Sequence, residues 1–142
     1  MSHYLDSSVL VAYYTPEPLS ERAQSSIVKT RESAISWLCQ LEFASAVSRK
    51  VRTGEFARPD AEQALALLRE HVAQRVYRML PLEPAHYAQA QRWLELMATS
   101  LRAADALHLS LAAQSGCRLL TADRSLADSA RRHDVPYKLL TA

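Results

Sequence analysis

Four acidic residues are candidates for one shared site: Asp6, Glu42, Asp105 and Asp123. Asp6 and Asp123 each follow a short apolar segment typical of a strand, and Asp105 lies in the first turn of a predicted helix. In open α/β sheets, ligands bind beyond the carboxyl ends of the strands. Carboxylates that converge there repel one another unless a cation is present, and oxygen ligands suit Mg²⁺ or Mn²⁺. The pattern therefore predicts a divalent-metal site suited to phosphodiester cleavage.

Each acid also has a structural interpretation. Asp6 and Asp123 are good N-caps for the helices that follow them, a role worth about 1 kcal/mol. Asp105 can interact with the helix dipole, which is worth roughly 0.3–1 kcal/mol. Glu42 is harder to explain, because a carboxylate on an apolar helix face is costly to bury unless it is paired or bound to a metal. Its neighbours three and four residues away include no cation; they are Leu38, Cys39, Ser45 and Ala46.

Several polar residues beside the acids are candidates for a supporting role. Ser7 and Thr121 can donate hydrogen bonds to the acids or to a water molecule, although turn and cap chemistry explains them equally well. Arg102, Arg49 and Arg124 can contact substrate phosphates, with a solvated charged face as the alternative. The sequence predicts Arg102 as the substrate contact among these arginines.

Other kinds of catalytic site find little support in the sequence. The five histidines are scattered, so no Ser-His-Asp or Cys-His arrangement stands out. His108 follows Asp105 by one helical turn; we expect a surface or partly packed position for it, with a place in the same cleft as the alternative. Only two glycines are present, Gly54 and Gly116, and this excludes a glycine-rich phosphate loop.

Length and composition predict a single globular domain over residues 1–142, with 49% hydrophobic and 23% charged residues. No apolar run approaches the roughly 20 residues that span a bilayer. No secretion signal is recognisable, so we expect a cytoplasmic protein with buried free thiols at Cys39 and Cys117. The net charge is +2, with 14 arginines against three lysines. Arginine suits phosphate contacts, so this balance permits a nucleic-acid partner without requiring one.

Predicted strands alternate with predicted helices along the whole chain. This alternation favours a mainly parallel sheet covered by helices on both faces. The predicted strands are His3–Leu5, Ser33–Ser36, Val76–Leu82, Arg118–Thr121 and Tyr137–Leu140. The predicted helices are one that follows Asp6 and ends before Pro16, and then Leu19–Lys29, Trp37–Arg52, Asp60–Gln74, Pro84–Thr99, Leu101–Ser115 and Ser125–His133.

Three segments of the sequence resemble a known family. The chain resembles the PIN domain, in particular the VapC-type toxins of type II toxin–antitoxin pairs. The segments are YLDSSVLVAYY near the start, SWLCQLEFASAVSRKVRTGEF in the middle and LRAADALHLSLAAQSGCRLLTADRSLA near the end. The resemblance covers essentially the full chain with the motifs in the expected order.

The resemblance implies a three-layer α/β/α sandwich and an endoribonuclease that depends on Mg²⁺, or on Mn²⁺ as a substitute. It implies that Asp6, Glu42, Asp105 and Asp123 are the catalytic, metal-binding acids, with Asp128 as an alternative to Asp123. Ser7 stands where threonine is frequent in the family. The resemblance also implies an RNA substrate, a homodimer and a cognate antitoxin that binds near the active site, for which the segment 19–69 offers apolar helical surface.

Two other classes remain as alternatives. A different metal-dependent phosphoesterase, such as a haloacid-dehalogenase-type phosphatase, would need a second acid after the first strand, where this chain has Ser8. A non-catalytic RNA-binding or scaffold module would keep the fold but would bind no Mn²⁺ at the acids. Metal binding therefore discriminates between a scaffold and an enzyme.

Overall fold

Five short strands form one parallel sheet in the computed structural model, which describes residues 2–30 and 32–142. They are β1 (His3–Leu5), β2 (Ser33–Ile35), β3 (Arg78–Met79), β4 (Arg118–Thr121) and β5 (Tyr137–Leu139). Their order across the sheet is β3-β2-β1-β4-β5. At the centre, Tyr4 lies opposite both Ala34 and Leu119, and all three are fully buried. The prediction of a mainly parallel sheet is confirmed.

Helices cover the sheet on two sides. They are α1 (Ser7–Tyr14), α2 (Ser20–Lys29), α3 (Trp37–Arg52), α4 (Arg58–Ala73), α5 (Pro84–Glu95), α6 (Ala103–Ser115) and α7 (Arg124–Arg132). The first four pack against one another, as do the last three. The chain crosses the sheet in one direction from β1 to β3 and in the other from β3 to β5, so right-handed crossovers place the two groups on opposite faces. The result is the predicted three-layer α/β/α sandwich.

Three helices begin at the carboxyl edge of the sheet with a side-chain cap. Asp6 follows β1 and caps α1, Ser36 follows β2 and caps α3, and Asp123 follows β4 and caps α7. Each cap oxygen accepts a hydrogen bond from a backbone N–H of the first helical turn, which would otherwise have no partner. These caps fix the helix N-termini at the edge where the strands end.

Two elements differ from prediction by more than two residues at one end. The strand expected over Val76–Leu82 is only the two residues of β3, and Pro81, which has no N–H to donate to a neighbouring strand, follows shortly after it. The helix expected to run to Thr99 ends at Glu95, because Met97 is left-handed, with a φ of 53°. Neither difference moves a predicted acid.

The two cysteines are confirmed as buried free thiols at Cys39 and Cys117. Cys39 lies in the first turn of α3, where its sulphur donates to the carbonyl of Leu5 at 3.2 Å. It therefore ties the start of α3 to the end of the central strand. No helix in the two described ranges is both long enough and apolar enough to cross a membrane.

A candidate active site at the carboxyl edge of the sheet

Asp6 is buried at the end of β1, with 3% of its surface exposed. Its Oδ1 accepts hydrogen bonds from the Ser8 hydroxyl at 2.5 Å and from the Val9 N–H at 3.2 Å. Its Oδ2 accepts from the Thr121 hydroxyl at 2.5 Å. Burial raises the pKa of Asp6, while the charge of His108 and these hydrogen bonds oppose the shift. The carboxylate is thus fixed in orientation from two elements, α1 and β4.

Thr121 connects Asp6 to Asp123. The fully buried Thr121 hydroxyl donates to Asp6 and accepts from the Asp123 N–H at 3.0 Å. Asp123 caps α7 with Oδ1, which accepts from the N–H groups of Ser125 at 2.8 Å and Leu126 at 3.3 Å. In the described residues its Oδ2 makes no hydrogen bond, so one oxygen of this acid is available for another ligand.

Glu42 is held by a histidine from the opposite helical layer. Its Oε1 is hydrogen bonded to Nε2 of His108 on α6, and His108 is 1% exposed. The other ring nitrogen of His108 lies 2.7 Å from the hydroxyl of Tyr4, which is fully buried. The Tyr4 hydroxyl also contacts Ser36 at 2.8 Å. A continuous polar chain therefore runs from the sheet to the carboxylate of Glu42.

This contact sets the charge of both partners. Burial would raise the pKa of Glu42, but the hydrogen bond and charge of His108 bring it below its ordinary value. Burial would lower the pKa of His108, but its hydrogen bonds with Cys39 and Glu42 raise it above its ordinary value. At neutral pH the lowered pKa of Glu42 and the raised pKa of His108 favour an ion pair, in which both N–H groups of the imidazolium donate.

Asp105 differs from the other three acids, because its carboxylate makes no hydrogen bond or ion pair with any described residue. It lies half-buried in the first turn of α6. Burial raises the pKa of Asp105, and the negative charge of Asp123 raises it as well; the charge of His108 opposes the shift, and the charges of Glu42 and Asp6 add to it more weakly. The other three predicted acids are therefore close enough to Asp105 for their charges to raise its pKa.

The acids do not form a compact ligand set by themselves. Within residues 2–30 and 32–142, no three His, Cys, Asp or Glu side chains are close enough together to hold a metal ion. Acids of like charge repel one another when no cation lies between them, and the raised pKa of Asp105 is consistent with this repulsion. Oxygen donors, an unpartnered carboxylate and a free Asp123 oxygen nevertheless fit the chemistry of Mg²⁺ or Mn²⁺.

The supporting residues have different positions. Ser7 lies beside Glu42 and lowers its pKa, and Thr121 bridges two acids as described above. Arg102 is exposed at the N-cap position of α6, three residues before Asp105. Asp128 is exposed on α7 and paired with Arg131 at 3.7 Å, so its position favours Asp123 as the fourth acid.

Sequence reasoning missed two residues of this site and gave a third, His108, only as an alternative. His108 is buried against Glu42, so the expectation of a surface or partly packed position was wrong. Tyr4, on the central strand, and Ser8, which fixes Asp6 and accepts from the Ala122 N–H at 2.9 Å, were not recognised as part of it. One local signal existed: His108 lies three residues after Asp105, so both project from neighbouring positions of one helix.

The family model of the PIN domain matches residues 3–132 of this chain. Among solved structures, the chain is similar to FitAcB from Neisseria gonorrhoeae, with a TM-score of 0.67, 21% identity and 95% of each chain covered. It is also similar to VapBC2 from Rickettsia felis bound to a promoter DNA fragment, with a TM-score of 0.71, 16% identity, and 99% and 100% of the two chains covered.

A third similar structure is VapC20 from Mycobacterium tuberculosis, described as a Sarcin-Ricin loop cleaving toxin. Its TM-score is 0.73 at 15% identity, and 89% of this chain and 94% of that chain are covered. At such identities the likeness establishes the fold. No curated protein matches this chain significantly.

Proposed function

Because the chain belongs to the PIN domain family, we propose that it is a metal-dependent endoribonuclease and the toxin of a type II toxin–antitoxin pair. The observation that carries the proposal is the state of Asp105. This half-buried carboxylate has no hydrogen-bond or ion-pair partner in the described residues. Burial and the negative charges of Asp123, Glu42 and Asp6 raise its pKa, against the opposing charge of His108. A folded protein keeps such an arrangement at a cost in stability, which a bound cation offsets.

The residues that would hold Mg²⁺ are Asp6, Asp105 and Asp123, with Glu42 completing the set. Mn²⁺ is expected to substitute, because both ions take oxygen ligands. When bound, such a cation supplies Lewis-acid stabilisation of phosphodiester oxygens and lowers the pKa of water. The free oxygen of Asp123 and the unpartnered Asp105 are the groups best able to move toward it.

The surrounding side chains do the positioning. Ser8 and Thr121 hold both oxygens of Asp6, so this carboxylate is fixed in one orientation. His108 holds Glu42 in the same way from the other helical layer. Arg102 is exposed beside α6 and is our candidate for contact with a substrate phosphate.

Two similar structures support the substrate and partner parts of the proposal. VapC20 is described as a toxin that cleaves the Sarcin-Ricin loop, which is consistent with an RNA substrate here. VapBC2 is a toxin–antitoxin complex, here bound to promoter DNA, which is consistent with a cognate antitoxin. We therefore expect RNA as the substrate and an antitoxin as the inhibitor.

The helical segment predicted to contact the antitoxin contains a groove between α3 and α4. Val47, Val51 and Leu65 line it, together with the charged side chains of Arg52 and Arg58. An amphipathic segment with acidic flanks would match this surface. Addition of the antitoxin should abolish RNA cleavage; a complex that retained full activity would contradict inhibition.

A homodimer is part of the same proposal. Trp37 and Leu41 lie one turn apart on α3 and are 67% and 69% exposed, an unusual position for large apolar side chains. Burial of this pair between two copies would explain their exposure. Light scattering of the wild type and of Trp37→Ser should give a dimer and a monomer; a monomeric wild type would contradict the dimer.

Cleavage of a labelled panel of structured and single-stranded RNAs tests the central proposal. Wild type and Asp105→Asn should be compared in Mg²⁺ and in EDTA. We expect cuts only by the wild type and only with the metal. No cleavage by folded wild type, together with no Mn²⁺ binding, would favour a non-catalytic module.

A further inference from the structure

A polar pocket of about 490 Å³ opens directly beside the acids. We call it the Glu17 pocket. Ser7, Ser8 and Ala122 form the wall that it shares with the acid site, and its charged side is formed by Glu17, Arg49, Lys50 and Glu55. Ser8 donates to Asp6, and Ala122 directly precedes Asp123. Its size lies within the range of small-ligand sites. A group bound here would therefore touch the same turns that carry two of the acids.

The charged side of the pocket is an ion pair with little freedom to move. Lys50 Nζ lies 2.7 Å from Glu17 Oε2, and only 13% of the Lys50 side chain is exposed. Glu17 stands between Pro16 and Pro18, and its N–H donates to the Ser20 hydroxyl at 2.9 Å. Ser20 donates in turn to the Thr15 carbonyl at 2.9 Å. The loop thus holds the Glu17 carboxylate, an acceptor, beside the ammonium donor of Lys50 on α3.

Helix α3 connects this pair to the acids. One face of α3 carries residues at spacings of four, three and one, which are Glu42, Ala46, Arg49 and Lys50. Two turns, about 11 Å along the axis, separate Glu42 from the cations. In the described residues Lys50 is paired with Glu17 and Glu55, whereas Arg49 is exposed and has no ion-pair partner. Arg49 is therefore the cation that is available to bind a phosphate group.

We propose that the Glu17 pocket binds the nucleobase of a nucleotide next to the scissile phosphate, with the Glu17–Lys50 pair as the base-reading group. This inference rests on the proposed ribonuclease function and adds a specificity site to it. Glu17 accepts and Lys50 donates, and the Watson–Crick edge of an unstacked base pairs donors with acceptors in the same way. Val11 and Leu19 supply apolar walls for the ring, and Arg49 holds the adjoining phosphate.

A purely structural ion pair is the competing explanation. Such a pair would join the loop to α3 and contribute the same stability whichever RNA is bound. Its removal would therefore slow cleavage at all RNA sequences equally. Base reading makes a different prediction, because glutamine in place of glutamate keeps the shape but presents an N–H₂ donor. Glu17→Gln should therefore change which base is preferred.

The test is cleavage of a randomised single-stranded RNA library in Mg²⁺, with the base frequencies read at each position around the cuts. We expect a base preference at one position next to the cut in the wild type, reduced about tenfold or replaced in Glu17→Gln. Arg49→Gln should raise KM and leave the preference unchanged. Glu21→Gln, an exposed change on α2, is the matched control and should match the wild type.

The possible outcomes distinguish failure of the pocket assignment from failure of the ribonuclease function. Denaturant titration first checks that Glu17→Gln is folded. If this variant cleaves with the same base preference as the wild type and Glu21→Gln, the pocket assignment fails and the ribonuclease function stands. A wild type that cuts with no preference next to the cut also overturns it. A wild type that cuts no RNA overturns the proposed function first, and the pocket assignment with it.

Discussion

His108 and Glu42 lie 66 residues apart in the sequence, yet Nε2 of the buried imidazole is hydrogen bonded to the glutamate carboxylate. The contact joins α6 to α3, so it fixes one acid of the site from the opposite side of the sheet. Because Glu42 is 30% exposed at its side chain, the bond orients a carboxylate that would otherwise choose among several rotamers. Orientation of ligands by such outer contacts is worth about 10–100-fold in metal affinity or activity.

His108→Leu is therefore expected to lower both Mn²⁺ affinity and RNA cleavage by about tenfold or more. Tyr4→Phe keeps the bond to Glu42 and should have a smaller effect. Tyr14→Phe is the matched control, because it removes another tyrosine–histidine hydrogen bond, 2.6 Å to His71, away from the acids. Calorimetric titration and initial rates measure the two quantities. Wild-type values in folded His108→Leu would contradict a positioning role.

Asp105→Asn should stabilise the metal-free protein at neutral pH. The pKa of Asp105 is raised in the folded state above the ordinary value of 3.8, so the folded protein loses that proton at a cost. Below pH 3.8 the carboxyl is protonated in both states and the cost is absent; it develops as the pH rises through the folded pKa. Urea unfolding in EDTA at pH 7 and at low pH measures this difference.

Asp60→Asn is the control for that experiment. Asp60 occupies the same position in the first turn of α4, but it is exposed and has no neighbouring acids among the described contacts. The loss of the helix-dipole interaction is then common to both variants and worth roughly 0.3–1 kcal/mol. Equal losses of stability in the two variants would show that repulsion at Asp105 is negligible.

Asp6 should respond differently to two substitutions. Asp6→Asn keeps an oxygen for the α1 cap, so it should abolish cleavage while leaving the fold nearly intact. Asp6→Ala removes the cap and leaves the buried Thr121 hydroxyl without its acceptor, so it should cost about 1–3 kcal/mol of stability. Thermal unfolding and the RNA assay measure these outcomes. A fully active Asp6→Asn protein would refute the role of this acid.

The choice between Asp123 and Asp128 as the fourth acid is open to direct measurement. Asp123 has one carboxylate oxygen without a hydrogen bond in the described residues, whereas Asp128 is exposed and paired with Arg131. Asp123→Asn should weaken Mn²⁺ binding and reduce the thermal shift that Mn²⁺ produces. Asp128→Asn should leave both unchanged. The reverse pattern would assign the role to Asp128.

Much of this molecule was predictable from local patterns. Asp6 and Asp123 are strand-end residues by simple inspection, because an apolar run precedes each and a helix follows. The alternation of strands and helices predicted the parallel sheet, and the resemblance added the three layers. The remaining boundary differences arise where single residues such as Met97 adopt a left-handed conformation, which sequence periodicity does not indicate.

The sequence by itself determined the candidate acids, and it placed Asp6 and Asp123 after strands whose carboxyl ends share one edge of a parallel sheet. The strand order β3-β2-β1-β4-β5 was decided by the tertiary structure, because the order of elements along the chain does not fix it. Only the tertiary structure decided which side chains hold those acids. The bonds of Thr121 to Asp6 and of His108 to Glu42 join residues 115 and 66 positions apart. No helical or strand period relates positions so distant, because such contacts depend on how separate elements pack against the shared sheet.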